Sequence, residues 1–264
     1  MKRNFYLMVC IFLAFVLGLN SCKKEKISEG MPDPVDDGLI NGALKDYDGN
    51  TYNAVKLGNQ VWMASNLKTT HYADGTAIPM GNMLTDVSYE NPFRYYPDNN
   101  NSLVNKNGYL YNWPAVVRGT TSSSVSPSGI QGICPTGWHV PSAAEWTELT
   151  DYLGSKSEYY CNNNSNFIAK ALASTSGWNQ CSYANTPGNN QSSNNATGFA
   201  AMPVGESHQT PQYFGDYAFF WTSTTPNPNA MMAEFRSICY YEAFVSADNE
   251  FKELGMSVRC IRDK

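Results

Sequence analysis

Apolar and polar positions alternate in short runs over much of the chain, which predicts a protein built largely from β-strands. At residues 42–67 the runs are separated by the turn signals Asp48-Gly49 and Gly58-Asn59, a pattern typical of β-hairpins. An aromatic strand is predicted at residues 107–116. Four more strands are predicted in the second half of the chain, at residues 199–204, 218–223, 230–238 and 255–261.

One segment, residues 143–153, has the periodicity of an amphipathic helix. Ser142 and Glu145 have the spacing of a capping box, and Gly154 is a suitable residue just beyond the helix end. A second, shorter helix is predicted at residues 167–173. The apolar face of the first helix is formed by Trp146, Leu149, Tyr152 and Leu153.

The order of these elements predicts an α+β fold: strands, then one or two helices, then strands, with both ends of the chain contributing to one sheet. The chain has 264 residues, a net charge of −5, 16% charged residues and 13% aromatic residues. No basic surface for nucleic acid is indicated. Few charges and many Tyr, Trp, Asn and Ser indicate an extracellular domain with polar loops, the longest at residues 119–129 and 185–198.

The N-terminus has a different pattern, an uninterrupted apolar run at residues 5–19 behind a positively charged start. We interpret residues 1–21 as a signal peptide, because the run is short for a membrane-spanning helix. The run ends in Leu19-Asn20-Ser21-Cys22, which resembles the lipobox of bacterial lipoproteins and implies lipid on Cys22. Residues 22–40 are then a lipidated cysteine and a flexible tether. The expected location is the bacterial outer membrane, with the periplasmic and the cell-surface face both left open.

Five cysteines remain after the predicted anchor: Cys134, Cys161, Cys181, Cys239 and Cys260. Export permits disulfides, and an odd number leaves at least one thiol unpaired or paired elsewhere. Cys161 and Cys181 bracket one Asn-rich segment and are the natural local pair. Pairing Cys134 with Cys260 would join the middle of the domain to its end and leave Cys239 over, but the spacing does not determine the connectivity.

Several ordered sequence blocks resemble a known bacterial family. They are DYDGNTYNAVKLGNQVWMASNLKTTHYADGTAIP, GYLYNWPAV, CPTGWHVPSAAEW, GFAAMPVG, FFWTST and GMSVRCIRD. They are similar to the Fibrobacter succinogenes major paralogous domain, common in lipoproteins of Bacteroidota, so residues 41–264 are expected to form one such domain. The resemblance implies a C-type-lectin-like fold with small antiparallel sheets, one or two flanking helices and long loops. It favours the pair Cys134–Cys260 and implies no general activity.

Two groups of residues are candidates for chemistry. His139 lies beside the predicted helix start, without a metalloprotease or Ser-His-Asp pattern, so we interpret it as a structural histidine. Asp46, Asp48 and Asn50 resemble the start of a Ca²⁺-binding loop, but the closing Glu of an EF-hand is absent. The sugar-binding triplets of Ca²⁺-dependent lectins are absent as well. We expect no cofactor, with Ca²⁺ at these three residues as the alternative.

Aromatic residues are frequent near the predicted loops of the second half. Their faces stack on sugars and anchor protein interfaces. We predict a ligand-binding site that contains Trp178 and Tyr213 as exposed rings, Tyr217 as a further ring, and Asp216 and Arg236 as polar partners.

These features favour a membrane-anchored, non-catalytic recognition or adhesion module that binds a glycan or a protein through its loops. One alternative is an enzyme related to the formylglycine-generating, sulfatase-modifying oxidases, with Cys239 in its redox pair. Another is a structural component of an envelope or fimbria-like assembly.

Overall fold

The computed structural model describes residues 38–227 and 230–263 as a mixed α+β fold with small antiparallel sheets. The predicted signal peptide and Cys22 lie outside the described residues. The larger sheet consists of β1 (Gly38–Lys45), β2 (Thr51–Leu57), β3 (Gln60–Met63), β6 (Trp138–His139) and β12 (Ile261–Arg262). Its strand order is β1-β2-β3-β12-β6, so the first and the last strand of the described residues share one sheet, as predicted.

The second sheet has three antiparallel strands, β9 (Tyr217–Trp221), β10 (Met232–Cys239) and β11 (Val245–Phe251), with β10 in the centre. Two strand pairs complete the described β-structure. They are β4 (Arg94–Tyr95) with β5 (Leu110–Tyr111), and β7 (Glu206–His208) with β8 (Thr210–Gln212).

The helices are short. They are α1 (Val104–Asn107), α2 (Trp113–Val117), α3 (Ala143–Gly154) and α4 (Ala169–Leu172), with single 3₁₀ turns at Pro97–Asn99, Asn101–Leu103 and Gln191–Ser193. No helix in the described part of the chain has the length and apolarity needed to cross a bilayer.

The capped helix predicted from the sequence is α3. The Ser142 hydroxyl accepts a hydrogen bond from the backbone N–H of Glu145 at 3.2 Å, and the Glu145 carboxylate accepts one from the N–H of Ser142 at 2.9 Å. The role predicted for Gly154 is wrong, because Gly154 is the last helical residue and Ser155 is the cap. A Cβ at Gly154 would lie 2.8 Å from the carbonyl oxygen of Ser165, so a close approach of backbone requires glycine there.

Other predicted elements are corrected by packing. The predicted strand at residues 107–116 contains β5 and then α2, which begins after the capping side chain of Asn112. The predicted strand at residues 199–204 is reduced to one bridge, between Ala201 and Ala173. The predicted strand at residues 255–261 makes single bridges to three different neighbours rather than a ladder with one, apart from Ile261 in β12. The helix predicted at residues 167–173 is reduced to α4. Five strands were not predicted: β4, β6, β7, β8 and β11.

The core forms on both faces of the two sheets. Val61 and Met63 of β3 pack into one cluster with Phe219 and Trp221 of β9. Trp62, on the opposite face of β3, packs with Trp146 of α3, Phe199 and Phe220 in a second cluster. Because β3 is buried on both faces, it lacks the alternation of a half-exposed strand.

A disulfide joins Cys134 to Cys260, which is the residue just before β12. This is the pair that the family resemblance favours. The predicted pair Cys161–Cys181 is wrong, because Cys181 is a free, partly exposed thiol. Sequence proximity suggested that pair, but Cys181 packs closely against Gly188. The Cys181 N–H donates to the Gly188 carbonyl at 3.2 Å, and a Cβ added to Gly188 would lie only 2.9 Å from the Cys181 Cβ.

A fully buried guanidinium, that of Arg259, joins three segments of the chain. Its Nε donates to the side chain of Asn66 at 2.7 Å. The two terminal nitrogens donate to the carbonyl oxygens of Met63 (2.9 Å), Phe199 (2.5 Å) and Ala200 (2.9 Å). Burial lowers the pKa of Arg259 to about 9, so the group is charged at neutral pH.

The buried imidazole of His139 lies between two carboxylates. Nε2 is 2.7 Å from Glu145, and Nδ1 is 2.7 Å from Asp263. Burial opposes the charged form, but hydrogen bonds and charges from Glu145 and Asp263 outweigh it and raise the pKa of His139. The cleft beside His139 has room for about one water molecule. His139 therefore holds α3, β6 and the C-terminal segment together, in agreement with a structural role.

We expect Arg259→Met to lower the free energy of unfolding by about 3–5 kcal/mol, because three buried acceptors and one half-buried acceptor lose their donors. The measurement is the urea midpoint at constant slope. Arg262→Met, three residues later on an exposed side chain, is the matched control and should change stability by less than about 0.5 kcal/mol. Equal effects of the two substitutions would contradict the structural role of Arg259.

We expect the His139 array to make stability depend on pH. Because the folded-state pKa of His139 lies above the usual value of 6.5, the stabilisation is complete below pH 6.5 and is lost as pH rises through the raised pKa. Urea unfolding at a series of pH values from 5.5 upwards measures this loss. His139→Gln should remove this component of the pH dependence, whereas His208→Gln, at a half-exposed residue, should keep it. Identical pH profiles for wild type and His139→Gln would refute the assignment.

Candidate functional site

The loop between β8 and β9 presents an exposed aromatic ring. Tyr213, just after β8, has 47% of its surface exposed and a φ of 60°, in the left-handed region that tyrosine rarely occupies. The N–H groups of Asp216 and Tyr217 donate to the Tyr213 carbonyl and close a tight turn. Gly205 permits this turn, because a Cβ there would lie 2.0 Å from the Gln212 carbonyl oxygen.

The rings around Tyr213 form a supported cluster. Tyr213 contacts Tyr217 edge-on, with ring centroids 5.5 Å apart, and contacts Phe219 at 6.1 Å. Tyr217 lies parallel to Phe219, with an interplanar angle of 4° and a centroid distance of 5.1 Å. The Tyr217 hydroxyl is 3.1 Å from that of Tyr241, which is also exposed. We call Tyr213, Tyr217 and Tyr241 the aromatic surface; it lies over the buried Phe219.

Polar groups flank the aromatic surface. The Asp216 carboxylate accepts a hydrogen bond from the Asn179 side-chain amide at 2.8 Å. The Asn179 backbone N–H donates to the Gly215 carbonyl at 2.8 Å, and the Tyr240 N–H donates to the Asp216 carbonyl at 2.9 Å. A half-exposed carboxylate and an exposed amide are therefore held in one place beside the rings.

Of the five predicted ligand-binding residues, the structure brings three together, Tyr213, Asp216 and Tyr217. Trp178 is not exposed: only 4% of its surface is accessible, and its indole N–H donates to Ser174. Arg236 is buried on the other face of β10, where its guanidinium donates to the Ala143 carbonyl at 3.3 Å. Arg236 and Ile238 are two residues apart on β10 and therefore share a face. Because Ile238 packs in the second core cluster, Arg236 lies on the face away from the aromatic surface.

Asn179 and Tyr241 belong to the site but were not predicted to. Tyr241 lies in a run of aromatic residues, and this run is a signal from which its place in the site could have been predicted. Asn179 has none, because its position depends on the loop beyond Trp178.

The thiol of Cys239 lies beside the aromatic surface but is buried. Cys239 pairs with Tyr217 across β9 and β10, and 1% of its surface is accessible. Burial raises the pKa of the Cys239 thiol above its usual value, despite hydrogen bonds with Tyr241 and Tyr217 that favour the thiolate. A thiol in this environment is a poor nucleophile at neutral pH.

The Asp46–Asn50 segment is a hydrogen-bonded turn. The two Asp46 carboxylate oxygens accept from the backbone and side chain of Asn50 and from the Tyr52 hydroxyl, at 2.6–2.9 Å. Asp48 accepts hydrogen bonds from Thr69, Thr70 and His71. A Ca²⁺ ion would have to displace these donors. In residues 38–227 and 230–263, no group of three or more His, Cys, Asp or Glu side chains is arranged to hold a metal ion.

Comparison with known proteins identifies the family. The family model of the Fibrobacter succinogenes major domain matches residues 55–262, which include α3, the Cys134–Cys260 disulfide, Arg259 and the aromatic surface. No curated protein and no solved structure matches the chain. Because the match spans most of its length, the chain belongs to the Fibrobacter succinogenes major domain family.

Proposed function

We propose that this protein is a non-catalytic recognition module that binds a glycan through the aromatic surface. The observation that carries the proposal is Tyr213, an exposed ring fixed by two aromatic neighbours on a strained turn. Strained backbone of this kind is concentrated at ligand-binding sites. A ring that is already fixed loses little conformational entropy when a ligand stacks on it.

The polar groups favour a glycan over an apolar partner. Asp216 and Asn179 present a carboxylate and an amide next to a ring face, and a sugar offers hydroxyls together with C–H surfaces. A protein segment with an aromatic or hydroxyl-bearing side chain is the alternative ligand.

The wider setting of the module is part of the same proposal. We propose that residues 1–21 are a signal peptide, that lipid on Cys22 anchors the protein in the outer membrane, and that a tether leads to the domain. Support comes from the apolar run and the lipobox-like Leu19–Cys22. We also propose a C-type-lectin-like scaffold; the shared sheet at both chain ends and the Cys134–Cys260 disulfide support it.

We expect Tyr213→Asn in the full chain to weaken glycan binding by roughly tenfold, or about 1.4 kcal/mol. Asn tolerates the left-handed backbone, so the substitution removes the ring and preserves the turn. Tyr47→Asn is the matched control, because Tyr47 is 59% exposed on the hairpin between β1 and β2. A glycan array identifies the ligand, and calorimetry compares the variants. A blank array together with no binding to intact cells would count against recognition, and equal loss in both variants would count against this site.

The oxidase alternative requires Cys239 as a reactive thiol. We expect Cys239→Ser to bind glycan as the wild type does. We also expect the variant and the wild type to consume oxygen at the same rate with thiol-bearing peptides, because the native thiol is buried and protonated. Oxygen consumption with thiol-bearing peptides is the measurement, with the partly exposed Cys181→Ser as control. Turnover that disappears only in Cys239→Ser would favour the enzyme.

A further inference from the structure

The Asn-rich loop at residues 185–198 surrounds one buried ammonium group. Lys170 belongs to α4, and 5% of its surface is accessible. Its Nζ donates to the carbonyl oxygens of Thr186 at 3.4 Å and Asn190 at 3.2 Å, and to the side-chain oxygen of Asn194 at 2.7 Å. It also donates to the carbonyl oxygen of Asn189. The loop therefore converges on a single positive charge.

The four partners of Lys170 in the part of the chain that the structure describes are all neutral oxygens. A buried Lys is ordinarily paired with a carboxylate, because an unpaired charge is costly to remove from water. Backbone and amide carbonyl oxygens are among the ligands that proteins use to bind hard cations. Burial lowers the pKa of Lys170 to about 8, so the amine is charged at neutral pH.

The loop conformation depends on this centre. Asn190 and Asn195 have positive φ values of 47° and 69°. The Asn195 N–H donates to the Lys170 carbonyl at 3.0 Å, and the Asn194 amide donates to the carbonyls of Ser174 and Pro187. Lys170 thus contacts the loop through both its side chain and its backbone.

The same loop supports the polar edge of the aromatic surface. The Gln191 side chain accepts from the Trp178 N–H at 3.1 Å and donates to the Trp178 carbonyl at 2.7 Å. The next residue, Asn179, bonds to Gly215 and Asp216. Gly188 donates to the Tyr240 carbonyl at 2.8 Å, on the other side of Asp216. A short path of hydrogen bonds therefore links Lys170 to Asp216.

We propose that the Lys170 ammonium is a built-in cation that occupies the structural place of a bound metal ion, and that it positions Asn179 and Asp216 without any metal. Lys170 is a positioning residue, since it does not reach the aromatic surface itself. The cation role stands independently, whereas the importance of this positioning for ligand binding rests on the proposed function.

Hydrogen exchange of the full chain tests the proposal without a ligand. In Lys170→Ala we expect the amides of residues 185–195 and of Asn179 to exchange faster by at least about tenfold. Propylammonium chloride contains the deleted atoms and should restore protection, whereas 1-propanol should not. Lys170→Met fills the volume of the lysine side chain but has no hydrogen-bond donors. Its loop amides should therefore stay unprotected with either additive. Lys156→Ala, at an exposed lysine after α3, should behave as wild type.

Two outcomes would overturn the proposal. In the first, the loop amides of Lys170→Ala are protected from exchange as well as those of the wild type. In the second, the variant loses this protection, or its fold, and propylammonium does not restore it. The wild-type protein provides a further test that requires no variant. The loop amides should exchange at the same rate in EDTA and in Ca²⁺, and a rate that depends on Ca²⁺ would contradict a built-in cation. A confirmed loop effect, with a blank glycan array and no binding to intact cells, would leave the cation role intact and reject only the proposed function.

Discussion

The fold depends on the burial of the Arg259 guanidinium, whose hydrogen-bond partners among the described residues are all neutral oxygens. This group is fully buried, so its donors must be satisfied by protein oxygens in fixed positions. Those oxygens come from the end of β3, from Asn66 and from the turn at Phe199 and Ala200. The rings of Phe199 and Phe220 contact the guanidinium, with centroids 4.6 and 5.6 Å from its carbon. One side chain thereby sets the distances between segments that are far apart in sequence.

The same principle operates nearer the surface at Lys170. Only 16% of the residues are charged, and both of these buried cations use neutral oxygens instead of carboxylates. The long polar loops consequently have defined conformations without a large apolar core of their own. A rigid loop is what a recognition surface needs, because little conformational entropy is lost when a ligand binds.

Local signals explain which elements could be predicted. The Ser142–Glu145 capping box and the apolar face of α3 lie within a few residues of each other, and both are correct in the structure. The strand β11 was missed because its sequence, VSADNEF, is polar and half-exposed, as expected at a sheet edge. Residues 255–261 look like a strand because they are apolar, but their backbone groups bond in turn to Ser207, Tyr111, Phe219, Leu67 and Met63. A pattern of side chains does not reveal such changes of partner.

The sequence alone determined the family, the capped helix, the hairpin turns near Asp48 and Gly58, and the residues from which the aromatic surface is drawn. Tertiary structure alone decided that Tyr213 is exposed and Trp178 buried, that Arg236 faces away from the site, and that Cys181 remains a free thiol. The physical reason is that caps and turns depend on neighbours in sequence, whereas burial and pairing depend on contacts between residues far apart in the chain.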